Sequence, residues 1–190
     1  MNHPLTDAPT NWILEGSELE QLLDVWTDQL VSFLQSRDNP AIFGIRTRGV
    51  PLGRRVKSAY DERENEDLPL GLLDITLYRD DLSRSGRQPS VEGTECMFDV
   101  NDREILLVDD VLFTGRTVRA ALDELFDFGR PSEVRLAVLV DRGHRELPIE
   151  PDLTGKELDV SPGKMVRLRL NDTDDQHGIM IEHSQNPNGS

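Results

Sequence analysis

Cysteine is nearly missing from this sequence. Cys96 stands alone, which excludes a disulfide framework within the chain. Lysine is almost as scarce: only Lys57, Lys156 and Lys164 occur, so the basic residues are nearly all arginine. No apolar run approaches the roughly 18 residues that a membrane span requires. Met1 to Thr10 show no basic stretch followed by an apolar one, so no signal peptide is expected. His3, His144, His177 and His183 are scattered, and no His/Cys/carboxylate spacing marks a metal held directly by the protein. Walker-type Gly-x-x-x-x-Gly-Lys and Gly-x-Gly-x-x-Gly loops are absent, as is any evident Ser/His/Asp or Cys/His grouping. Positive charge is also short, and the formal net charge is −15. A protein living mainly by contacts with nucleic-acid phosphates needs a basic surface, so that class is disfavoured. Two readings of the acidity stay open: a solubilising surface, or adaptation to a salty cytoplasm. These absences together point to a cytoplasmic protein.

What is present fits one globular domain over residues 1–190, at 36% hydrophobic and 30% charged. Ser17 to Arg37 predicts a helix with Leu19, Leu22, Leu23, Trp26, Leu30, Phe33 and Leu34 at helical spacing and Ser17 as N-cap. Ala41 to Ile45 predicts a buried strand. Val50 to Asp67 reads as a second amphipathic helix and Gly71 to Tyr78 as a strand. Arg79 to Thr94, rich in Ser, Gly and Pro, reads as a long loop or irregular hairpin. Ile105 to Val108 and Leu136 to Val140 are further buried strands. Between them Thr117 to Phe128 predicts a helix facing inward through Val118, Ala121, Leu122, Leu125 and Phe126, ended by Gly129 and Pro131. Strands alternating with helices imply an α/β fold, a mostly parallel doubly wound sheet flanked by helices. The core is expected over about residues 13–140, with a small C-terminal hood at about 141–170 and a tail beyond.

In such folds ligands bind at the carboxyl ends of the strands. The stretch after Val108 runs Asp109-Asp110-Val111-Leu112-Phe113-Thr114-Gly115-Arg116-Thr117 into a helix. A helix N-terminus offers free N–H groups and a positive dipole end to phosphate. Gly115 permits close approach and positive φ, and Thr114 and Thr117 add hydroxyl donors. Asp109 and Asp110 cannot hold phosphate, but they suit a diol or a cation. A loop carrying both functions suits a sugar phosphate. An ordinary strand-to-helix turn is the bland alternative.

Ile105 to Thr117 resembles the signature of type I phosphoribosyltransferases for 5-phosphoribosyl-1-pyrophosphate (PRPP). The segments Gly44–Val50, Asp74–Leu82, Gly129–Ser132 and Leu136–Pro148 are similar to the PyrR family, uracil phosphoribosyltransferases that in many members also regulate pyrimidine operons by binding mRNA. The resemblance covers roughly residues 13–170. It implies the type I phosphoribosyltransferase fold and the reaction of uracil with PRPP to give UMP and pyrophosphate. Thr114, Gly115, Arg116 and Thr117 would take the 5′-phosphate, and Asp109 and Asp110 the ribose hydroxyls. Thr47, Arg48 and Gly49 would form the pyrophosphate loop. Tyr78 to Ser90 would be a lid carrying Arg79 toward pyrophosphate, and Val140, Asp141 and Arg142 would line the uracil site. Mg2+ would accompany the pyrophosphate, and a homodimer or higher homo-oligomer would be the assembly.

Other readings stay open: a purine or orotate phosphoribosyltransferase, a non-catalytic regulator sensing PRPP or UMP, or a structural partner protein. For RNA, the resemblance leaves His144, Arg145 and Lys156 as basic candidates. The first helix opposes them. It carries Glu18, Glu20, Asp24 and Asp28, with no Lys or Arg before Arg37, and carboxylates there repel a phosphate backbone.

Overall fold

A computed structural model describes residues 11–75, 93–161, 163–171, 174 and 176–183. Within them the order is β1 (Asn11–Glu15), α1 (Ser17–Gln35), β2 (Pro40–Ile45), α2 (Gly49–Glu64), β3 (Leu70–Leu73), β4 (Glu104–Leu112), α3 (Arg116–Asp127), β5 (Glu133–Asp141), β6 (Leu153–Glu157), β7 (Lys164–Arg169) and β8 (Gly178–His183).

The short Val/Ile/Leu runs become the five-stranded sheet β3-β2-β4-β5-β6, and every neighbouring pair in it is parallel. Strands buried on both faces can be apolar throughout, and β4 shows how the faces divide. Leu106 and Val108 enter the core beneath α1 and α2, with Leu23, Trp26, Leu30 and Leu52. Ile105 and Leu107 point the other way, to Val118, Ala121 and Leu125 of α3. Helices therefore cover both faces, as the alternation of elements predicts. Each fully buried Leu or Phe stabilises the fold by about 1.5–3 kcal/mol, and Trp26, Phe43 and Leu30 are all wholly inaccessible.

Several boundaries differ from the sequence expectation. Gly16, not Ser17, is the N-cap of α1, with φ 52° and no side-chain cap. Its N–H donates to the His177 carbonyl, so a tertiary bond replaces the expected hydroxyl cap. α2 stops three residues before the expected Asp67 because Asn65 takes a left-handed C-cap conformation. β3 ends at Leu73: Asp74 and Ile75, expected in the strand, lie beyond it, and the rest of the predicted continuation to Tyr78 lies outside the described residues. β4 runs on through Leu112, paired with β5 as far as Asp141. Asp109 and Asp110 thus stand on the strand rather than in the loop. The backbone ladder continues there irrespective of side-chain polarity. Phe126, expected inward on α3, is 54% exposed. Helical rotation carries it past the stripe that Val118, Ala121 and Leu125 bury.

The stretch expected as hood and tail is organised differently. β6 joins the main sheet as its edge strand; its polar sequence Leu-Thr-Gly-Lys-Glu fits a strand open on one side and hides it from an apolar-run search. β7 and β8 form an antiparallel sheet with β1 in the order β1-β8-β7. Ends of the chain far apart in sequence therefore meet, and β8 arises within residues expected as tail. Gln185 to Ser190, the end of the expected tail, lie outside the described residues.

At Gly49 the start of α2 lies against β4. A Cβ added there would overlap the Val108 carbonyl oxygen and come within 3.2 Å of Asp109 Cα. At Gly53, one turn on, a Cβ would meet the Ile42 and Leu70 side chains at 3.4 Å and Gly44 Cα at 3.9 Å, all ordinary contacts. Gly49→Ala should therefore destabilise the fold by about 1–3 kcal/mol. Gly53→Ala should be neutral or stabilising by up to about 1 kcal/mol through helix propensity. Urea unfolding of the two variants checks the contrast, and equal effects would contradict this packing.

Candidate active site

In the order β3-β2-β4-β5-β6, chain connections leave β2 toward β3 and β4 toward β5. The gap between β2 and β4 is therefore a topological switch point, where a crevice opens at the carboxyl edge of the sheet. Gly44 of β2 is in register with Val108 of β4, and Val108 with Ala137 of β5. Their following segments, Arg46 to Gly49, Phe113 to Gly115, and Arg142 onward, emerge along that one edge.

The first segment turns sharply. The Arg46–Thr47 peptide bond is cis, and α2 begins at Gly49 with Arg48 as N-cap. A Cβ on Gly44 would stand 2.8 Å from the Gly49 carbonyl oxygen, so the turn folds back on its own strand. The contact of Gly49 with Val108 and Asp109 sets this turn directly beside the backbone of β4 where the two acids begin. Asp109 is buried, at 4% exposure, and its Oδ1 accepts the Asp110 N–H at 2.9 Å. Asp110 is half-buried. Arg48 donates through Nη2 to both oxygens of Asp174, at 2.9 and 3.2 Å.

The second segment has the geometry of an anion cradle. Gly115 is left-handed, φ 90° and ψ −6°, and it caps α3 without a side-chain hydrogen bond. The first turn of a helix leaves N–H groups without intrahelical partners. The Arg116 N–H bonds Thr114 Oγ1 at 3.3 Å. The loop is held from outside: Glu146 and Leu147 N–H donate to the Thr114 carbonyl at 3.0 and 3.1 Å, and Arg116 Nε donates to Glu146 at 2.7 Å. Thr117 opens the helix.

The third segment supplies that support. Arg145 donates to the carbonyls of Ile149, Phe113 and Gly143 and to Asp141 Oδ2, the last at 2.5 Å. Burial pushes the Asp141 carboxyl upward, but the Arg145 bond, the Gly143 N–H and the Arg145 charge together hold it below the usual carboxylate range. Arg142 is 4% exposed. It donates to the Lys164 carbonyl at 2.8 Å and stacks 3.8 Å from the centre of the Phe113 ring. Burial lowers its basicity from the ordinary arginine value, though arginine remains charged in proteins. Val140 is wholly buried in β5.

The structure thus brings Thr47, Arg48, Gly49, Asp109, Asp110, Thr114, Gly115, Arg116, Thr117, Asp141 and Arg142 to one edge of the sheet. Arg79, with the expected lid, lies outside the described residues. Of the RNA candidates, Arg145 is 14% exposed and committed internally, His144 lies 3.9 Å from Asp159, and Lys156 sits half-buried on β6. Phe113, Glu146 and Asp174 were not singled out by sequence. Phe113 could have been suspected as the large apolar residue inside a polar loop. Asp174 lies in an acidic stretch with no pattern to mark it.

Among the described residues no helix is long and apolar enough to cross a membrane. The model of the phosphoribosyl transferase domain family matches residues 11–171. A bifunctional protein PyrR from Deinococcus radiodurans is 50% identical over 88% of this chain and 91% of its own length. Another from Alkaliphilus metalliredigens is 45% identical over 92% and 96%. A solved hypoxanthine phosphoribosyltransferase from Staphylococcus aureus superposes with a TM-score of 0.60 at 17% identity, over 85% of each chain, a likeness of fold alone. The chain accordingly belongs to the phosphoribosyl transferase domain family and, within it, to the PyrR proteins.

Proposed function

We propose that this protein transfers the ribose 5-phosphate of PRPP to uracil, giving UMP and pyrophosphate. One observation carries the reading. The Arg46–Gly49 turn, the Asp109–Asp110 pair and the Gly115-capped start of α3 follow neighbouring strands at one edge of the sheet, in a chain whose curated relatives are PyrR proteins. PRPP carries a 5′-phosphate, a diol and a pyrophosphate, and the crevice offers an anion cradle, a carboxylate pair and a second tight turn in matching number.

In this reading the bond from ribose C1 to pyrophosphate oxygen breaks and a bond from C1 to uracil N1 forms, with the N1 proton released. Bond breaking leads, so the ribose gains positive charge. Asp109 and Asp110 hold the ribose hydroxyls and stabilise that charge in a crevice of low dielectric. Thr114, Gly115, Arg116 and Thr117 fix the 5′-phosphate, which keeps C1 in line with the base. Backbone N–H groups of Thr47 to Gly49, with Arg48, receive the departing pyrophosphate, and Arg79 is proposed to join them. Val140, Asp141 and Arg142 flank the uracil. Among the described residues no group of three or more His, Cys, Asp or Glu could hold a metal ion. Mg2+ arriving with pyrophosphate would take most of its oxygen ligands from the substrate and water and neutralise leaving-group charge.

Regulation by RNA is a second reading, favoured by the word bifunctional in the relatives' name. The charge arrangement opposes it here. Glu20 and Asp24 of α1 pair with Arg55 of α2 at 2.9 and 2.6 Å, and Asp28 pairs with Arg63. Basic groups near α1 are thus already matched to carboxylates. We infer that phosphoribosyl transfer is retained and RNA binding is weak or lost. The runner-up is a changed RNA target, read in single-stranded loops by stacking.

Three measurements test these statements. Asp110→Asn should lower turnover by about 100-fold while changing unfolding stability by under about 1 kcal/mol; near-normal turnover would remove the ribose role. Gly115→Val forces a branched side chain to positive φ and should abolish PRPP binding by calorimetry in a protein that still folds; unchanged affinity would take the loop out of the site. A gel-shift titration with the leader transcript of the host's own pyrimidine genes should show weak binding that UMP does not enhance; tight UMP-enhanced binding would restore the regulator.

A further inference from the structure

Asp174 lies in the connection between β7 and β8 of the second sheet, yet its carboxylate reaches the turn between β2 and α2. Oδ1 accepts Arg48 Nη2 at 2.9 Å and Arg169 Nη1 at 3.1 Å. Oδ2 accepts Arg48 Nη2 at 3.2 Å and the Leu170 N–H at 3.0 Å. Its own N–H closes a tight turn onto the Leu170 carbonyl at 2.7 Å. The side chain is only 9% exposed, whereas Arg48 keeps 24%. The carboxylate is therefore fixed by backbone on one side and shared by two guanidiniums on the other. Both hydrogen bonds of Arg48 among the described residues are made by Nη2, and Nε is buried, so Nη1 is the part of the guanidinium left to meet an incoming anion.

We propose that Asp174 is a positioning residue of the pyrophosphate loop. It holds Arg48 at the mouth of the crevice in the one orientation that serves pyrophosphate. The inference rests on the phosphoribosyl transfer reading and deepens it. A long arginine side chain loses considerable rotamer freedom when it engages a ligand. A carboxylate that orients it beforehand removes most of that loss from the binding step. Asp174 also separates Arg48 from Arg169: without it, two like charges would stand close together around a vacated anion position, and Arg48 would move away. The second sheet thereby acquires a role in the site that its distance from the other loops conceals. Asp174 touches neither the ribose nor the base, so its effect falls on the pyrophosphate half of the substrate.

The test uses the full chain with Mg2+ and inorganic pyrophosphate, read by calorimetry, together with steady-state kinetics and a thermal melt of each variant. Asp174→Asn keeps an acceptor for the Leu170 N–H and should stay folded. It should weaken pyrophosphate binding and raise KM for PRPP, each by about tenfold, with KM for uracil unchanged. Asp174→Glu, which retains a carboxylate able to reach Arg48, should recover much of that loss. In the double variant Arg48→Gln/Asp174→Asn the loss should be no greater than in Arg48→Gln alone, because the two act through one contact. Asn and Glu variants alike in pyrophosphate affinity, or losses that add in the double variant, would overturn the inference. Failure of the wild-type protein to bind PRPP or pyrophosphate at all would instead sink the reading on which it rests.

Discussion

The site depends on one close approach, that of the Gly49 backbone to Val108 and Asp109 of β4. Two parallel strands can present their carboxyl ends side by side only if the helix after one of them does not block the other. At Gly49 the missing side chain lets α2 begin almost in contact with β4. A tight turn suited to an anion is thereby set beside a carboxylate pair suited to a ribose. The same contact anchors α2 over the sheet, where Leu52 and Val56 join the core with α1. Packing and chemistry thus rest on the same few atoms, so substitution there should disturb both together.

Around that contact, the structure uses buried charge to fix loops that have little apolar surface of their own. Arg145 ties the Phe113 and Gly143 carbonyls to Asp141, and Arg142 lies under the Phe113 ring. Replacing such groups by apolar ones often leaves stability unchanged, whereas removing a single partner leaves a buried charge exposed to the full desolvation penalty. Their evident use is geometric. Three carbonyls and a carboxylate held by one guanidinium define the path of two loops more tightly than side-chain packing could over the same few residues. This engagement also explains why Arg145, a basic residue in a matching segment, is poorly placed to offer its charge to RNA.

Much of this was legible in the sequence because it was written locally. Apolar runs of four to six residues and the helical stripe of α1 announced the parallel sheet and one of its covers. Four apolar residues, two acids and Thr-Gly-Arg-Thr marked the loop for which phosphate binding is proposed. What was not legible depended on contacts distant in sequence. β6 is the half-buried edge strand of the sheet and can be polar, so it carries no run to find. β1 and β8 pair across most of the chain, and nothing in either strand names the other. Gly16 replaced Ser17 as the cap because a backbone bond to His177 was available. Asp174 gained its partners only when the second sheet reached the first. The acids of α1 were visible, but their pairing with Arg55 and Arg63 was not, since it requires α1 and α2 to be neighbours.

A net charge of −15 is at first sight at odds with a crevice for a polyanion, and screening reconciles the two. At physiological ionic strength a charge is felt over roughly 8 Å. On the proposed reading, a small phosphate ester in the crevice would respond to the nearest groups: the start of α3, the start of α2, Arg48 and Arg116, set against Asp109 and Asp110. The first four would present N–H donors or positive charge at contact distance, where a helix N-terminus is most effective. An RNA chain is different in kind. Its phosphates spread over many screening lengths, so it must lie along the surface and meets the acidic groups of α1 wherever they are not fully paired. Acidity on the outside is thus compatible with the proposed anion chemistry within, and on that reading it would discriminate by size: a ligand small enough to enter the crevice would avoid the surface charge, and one that must lie across the surface would not.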